Sequence, residues 1–120
     1  MKVSLFTDTT EEVTSILNTI TNNVFPLCAV EGTKIPFIIY RRTGTQTLTL
    51  TKDGMNGTEM SFDVDVVTER YSMGLTLLDA LHKTLRSKFP NIVIQNSSEL
   101  FDDQQNLYIQ QISFTITVEN

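Results

Sequence analysis

Between Met60 and Phe89 the apolar residues change from every second position to a helical stripe, within one unbroken stretch of chain. Met60, Phe62, Val64 and Val66 alternate with Ser61, Asp63 and Asp65, the pattern of a strand with one buried face. Leu78, Leu81, Leu85 and Phe89 then share one helical stripe, and Pro90 stops it. A long strand therefore hands over to a long helix within a few residues. With apolar strands on either side in sequence, this predicts a single α+β domain spanning residues 1–120.

The flanking segments fill in the order. Asp8, Thr9 and Thr10 before Glu11 and Glu12 form a helix-start signal, with Thr9 and Glu12 at capping-box spacing. Val13, Ile16, Leu17 and Ile20 continue as one apolar stripe, predicting a helix over residues 10–21 that Asn22 and Asn23 end. Residues 24–30 are apolar but contain Pro26, which restricts them to an edge strand or a strand-like connector. Phe37, Ile38, Ile39 and Tyr40 are apolar on both faces, as in a central strand or one lying under a partner subunit. Residues 43–57 alternate threonine with Gln46, Leu48, Leu50 and Lys52 and carry little apolar surface, reading as a long hairpin arm or loop. Residues 92–96 and 107–118 predict a final strand pair, joined by a polar, acidic connection over 97–106. The expected architecture is a mostly antiparallel sheet of four to five strands with two helices on one face.

Composition narrows the function classes. A net charge of -5 opposes non-specific nucleic-acid binding, which needs a basic surface, but not a protein that surrounds DNA without gripping it. No stretch approaches the roughly 20 apolar residues of a membrane span, and residues 1–10 hold no signal-peptide-like run. The expectation is folding in cytoplasm with no membrane partner.

Little here resembles reaction chemistry. Cys28 is the only cysteine and sits in an apolar stretch, which predicts a small buried hydrophobe. His82, the only histidine, has Asp79 three residues before it, the arrangement of a solvated pair on a helix flank. Asp63 and Asp65 leave one strand face two residues apart, but no third acid at suitable spacing completes a cation site. No glycine motif cradles phosphate. The chain predicts no enzyme, no cofactor and no metal. The outward residues of the last two long strands (Ser61, Asp63 and Asp65; Gln111, Ser113, Thr115 and Thr117) are mostly small hydroxyls and amides. Such a face is cheaply desolvated by another subunit, which argues for oligomerisation.

Val24-Phe25-Pro26, a turn, and then Ile35-Pro36-Phe37-Ile38-Ile39-Tyr40 resemble the opening of the phage tail terminator family, also called tail completion or tail-to-head joining proteins. The strand at residues 62–66, the helix at 72–89 and the C-terminal strand pair follow that family's order, so the resemblance covers roughly residues 10–118. It implies a virion protein, assembled in host cytoplasm and placed at the tail-head junction. The subunit would form a ring, commonly a hexamer, that caps the tail tube and joins tail to head. Its implied partners are itself, the tail tube protein and head-tail connector proteins, with DNA passing through unbound. On that reading Tyr40, Arg41, Arg42, Leu48 and Leu50 are candidate subunit or tube contacts, and Asp63 and Asp65 candidate channel-lining residues. The alternative is a small cytoplasmic α+β binding module acting as a dimer around an apolar pocket.

Overall fold

The computed structural model describes residues 5–29, 32–49 and 56–119. The elements run α1 (Leu5–Ile20), β1 (Val24–Pro26), β2 (Phe37–Thr49), β3 (Asn56–Thr68), α2 (Tyr71–Lys88), β4 (Val93–Asp102) and β5 (Leu107–Glu119). The strands form one sheet in the order β1-β2-β3-β5-β4. β1 is parallel to β2, and every other pair is antiparallel. This is the expected α+β architecture, with both helices on one face of the sheet.

The period-two pattern of β3 decides which face is covered. Met60, Phe62, Val64 and Val66 are all buried and pack with Ile112, Phe114 and Ile116 of β5 and Ile38 of β2. Val13, Ile16 and Leu17 of α1 and Leu81 and Leu85 of α2 close this layer from above. Phe62 and Phe114 are opposite each other across the β3–β5 ladder, with ring centroids 5.6 Å apart. Full burial of each large side chain contributes about 1.5–3 kcal/mol, so these two strands form the centre of the core.

α1 begins earlier than its capping signal predicts. Thr9 lies inside the helix and is buried, four residues before Val13 on the same stripe. The stripe therefore extends by a turn, and Thr9 is spent on packing instead of capping. Asn23 is the joint to the sheet: its side chain donates to Lys34 O (3.1 Å), and its carbonyl accepts from Ile38 N (2.8 Å). β1 is the proline-bearing edge strand expected from Pro26. It ends at Leu27, which takes a φ of 67° while its N–H donates to Tyr40 O at 2.8 Å. Cys28 follows and is exposed, not buried as its apolar neighbours suggest.

At the other end of the sheet, the acidic connection expected over 97–106 is mostly strand. β4 runs on to Asp102, and Asp102 Oδ1 accepts from the N–H groups of Gln104 (3.0 Å) and Gln105 (3.3 Å) to close a tight turn. β4 lies at the sheet edge with most of its residues exposed, so no buried face imposes an alternation on its sequence.

Of the arm expected over 43–57, residues 43–49 continue β2 and residues 56–57 begin β3, paired out to Thr49 and Asn56; residues 50–55, Leu50 among them, lie outside the described residues. Thirteen-residue strands reach about 43 Å, whereas the 18-residue α2 reaches about 27 Å, so the helices cannot cover the whole sheet.

Candidate assembly interface

The sheet face turned away from the helices is built from cross-strand rows. Where β2, β3 and β5 adjoin, Arg41, Asp63 and Ser113 form one row. Asp63 accepts from Arg41 Nη2 at 3.1 Å and from Ser113 Oγ at 2.6 Å. One row along, Asp65 Oδ1 accepts from Gln111 Nε2 at 2.9 Å, while Gln111 Oε1 accepts from Ser98 Oγ of β4 at 3.3 Å. On the far side, Ser61 and Thr115 share a hydroxyl contact of 2.9 Å. Around Asp63 and Asp65 the face is thus polar but already hydrogen-bonded to itself. Its described strand positions carry one cation, Arg41, and that guanidinium is held by Asp63. An exposed pair of this kind contributes only about 0.2–1 kcal/mol; what it removes is a free positive charge.

Polarity gives way at one end of this face. Phe37, Val67, Ile109 and Leu100 fall in one row across four strands, with Val67 buried and Leu100 59% exposed. The signal for this row lies in the doubled apolar pairs Val66-Val67 and Phe37-Ile38, which strict alternation does not need.

The other sequence candidates separate by face. Arg42 points to the helix side, where its guanidinium lies 5.0 Å from the Phe6 ring and Nη1 donates to Thr45 Oγ1 at 2.6 Å. Tyr40 is half-buried at the margin of the core and helps line an open groove of about 690 Å³ with Phe6, Thr10 and Thr14 of α1. The lining mixes threonine and serine hydroxyls with apolar surface from Phe6 and Tyr40. Leu48 is paired with Gly57 in the arm.

An aromatic group beside the β4–β5 turn has no local signal in the sequence. Tyr71, at the start of α2, packs edge-on against Tyr108 with centroids 5.6 Å apart, and Phe101 lies 4.9 Å from Tyr108. Tyr71 donates to Glu99 Oε1 at 3.0 Å, and this hydrogen bond, with the carboxylate charge behind it, raises the phenol above its ordinary pKa of 10.0. These residues are far apart in sequence and meet only because β4 extends to Asp102. His82 has Arg86 as its described partner, at 3.5 Å, and Cys28 lies in the bend that follows β1, on no strand or helix. Among the described residues no three His, Cys, Asp or Glu side chains gather as metal ligands, and no helix is long and apolar enough to cross a membrane.

No family model matches the chain, and no curated protein matches it. A solved structure, "Virion of native gene transfer agent (GTA) particle", contains a chain of similar fold, with a TM-score of 0.57 and 10% sequence identity. The match covers 90% of this chain and 84% of that one. At such identity the likeness is one of fold.

Proposed function

We propose that this protein is a structural component of a phage-like virion, a ring-forming subunit of the tail-terminator kind that caps the tail tube and joins tail to head. The observation that carries this reading is the uncovered sheet face, where Asp63 and Asp65 are hydrogen-bonded within the sheet and the one described cation is neutralised. A channel wall for DNA needs low affinity for phosphate, and a face without free cations provides it. The fold likeness to a chain of a virion particle supports the same assignment, as does the order of elements shared with tail terminators. In the ring, Asp63 and Asp65 line the channel, and Tyr40, Arg41, Arg42, Leu48 and Leu50 meet a neighbouring subunit or the tube. The protein acts by assembly, not by catalysis, and it resides at the tail-head junction.

Light scattering and native mass spectrometry across a range of concentration and salt test this reading, followed by negative-stain images of the largest species. Closed rings, hexamers foremost, are expected as concentration rises. A tight dimer at every concentration would overturn the ring and favour a small binding module.

A further inference from the structure

Among the described residues the sheet has two open edges, and they are chemically unlike. On one side β4 is outermost, mostly exposed, and free of the lysines, arginines and prolines that usually block edge pairing. Its charged residues are Glu99 and Asp102, and Asp103 follows in the turn. On the other side β1 covers β2 only at Ile38, Ile39 and Tyr40, and the Leu27 N–H to Tyr40 O bond ends that pairing. Beyond it, among the described residues, no strand covers this edge of β2 from 41 to 49. The charged residues of β2 are Arg41 and Arg42, with no acid.

Strand direction makes the two edges compatible. β2 and β5 run one way, β3 and β4 the other. When two copies stand side by side in the same sense, β4 of one is therefore antiparallel to β2 of the next. Self-pairing of either edge brings together two strands of like charge, whereas β4 against β2 joins an acidic strand to one that carries arginines and no acid.

We infer that β4 of one copy adds to the open edge of β2 of a second copy, with the acidic turn at Asp102 and Asp103 set against Arg42, since Arg41 is held by Asp63. This rests on the ring reading above and names the surfaces that would build it. The end of β1 at Leu27 stops the incoming strand and sets its register, so β4 lies along residues 43–49. Phe101, half exposed on the helix side, then arrives beside the groove of Phe6, Thr10 and Tyr40. Because the joined surfaces differ, each copy keeps one donor edge and one acceptor edge. Such a contact propagates, and it closes into a ring when the rotation allows. Backbone hydrogen bonds supply the affinity, as in other cases of strand addition.

The test uses two charge reversals on exposed residues, D103R and R42E, measured alone and mixed against wild type by native mass spectrometry and light scattering. Circular dichroism checks that each variant is folded. Each alone sets like charges together, so the midpoint concentration for assembly is expected to rise by roughly tenfold or more. An equimolar mixture restores assembly, because every junction of an alternating ring then pairs opposite charges. Wild-type rings with unaffected single variants, or no rescue on mixing, would overturn the edge pairing and leave the ring standing. Wild-type protein that stops at dimers would overturn the ring and this inference together.

Discussion

Gly74 closes the first turn of α2, packed against Thr68 of β3 and Gln110 of β5, and Gly74→Ala sets two known effects against each other. Alanine in a helix interior is favoured over glycine by about 1 kcal/mol. Against this, a Cβ at Gly74 would lie 3.0 Å from Thr68 Oγ1 and 3.2 Å from Gln110 Cγ. Neither neighbour yields freely. Thr68 is fully buried and its hydroxyl is tied to Arg70 O at 2.8 Å; Gln110 is buried and the contact is in the middle of its side chain. Overpacking of this kind costs about 1–3 kcal/mol, so the packing term wins and the variant is expected to lose about 1 kcal/mol, or about 4 °C in Tm. Urea unfolding of the monomer provides the measurement, with Ala80→Gly on the exposed side of α2 as the propensity scale of the same helix. In a Gln110→Ala background the penalty should shrink, and the double-mutant cycle reads that coupling directly. If Gly74→Ala is more stable than wild type by as much as Ala80→Gly is less stable, the close approach of α2 to the sheet is wrong.

Three further outcomes are expected from the same structure. Cys28 is exposed, so a disulfide reagent should modify it in native buffer about as fast as in urea; protection until unfolding would contradict its placement in the bend after β1. Glu99→Gln should bring the Tyr71 phenol back towards its ordinary value, as read by ultraviolet titration of the phenolate. Because the folded-state pKa is raised, the associated stabilisation is present below pH 10.0 and is lost as pH climbs through the folded value, and the variant should lack this alkaline loss. Phe114→Ala should cost about 3–5 kcal/mol, whereas Leu100→Ala on exposed β4 should change monomer stability by less than about 0.5 kcal/mol.

The core was legible because its signals are local. Val13, Ile16 and Leu17, Leu81 and Leu85, and the alternation from Met60 to Val66 each declare their buried side within a few residues. The candidate face was legible by half. Period two places Asp63 and Asp65 on one side of β3, but their partners depend on register, and Ser113 and Gln111 stand 50 and 46 residues away. Nothing in the local pattern of β3 or β5 sets that pairing. Arg41 and Arg42, adjacent in sequence, point to opposite faces for the same reason that Ser61 and Phe62 do, so treating them as one basic feature hides the ion pair.

β4 presents the harder case, and its obscurity has a physical cause. A strand reveals itself in sequence when one side is buried by its own chain, and Ser97, Ser98, Glu99 and Leu100 are exposed on both sides. In isolation such a segment has the composition of a loop. The outer half of β2, beyond its pairing with β1, is likewise rich in threonine and poor in apolar residues. These two stretches are thus the two open edges, one acidic and the other uncharged beyond Arg42, on opposite sides of one sheet. If each completes the other between copies, their polar sequences suit segments that must remain soluble before assembly. Their unsatisfied backbone groups would be paired only afterwards. The charge-reversal mixture distinguishes this from a sheet that merely ends, because only edges that meet each other can be restored by mixing two defective variants.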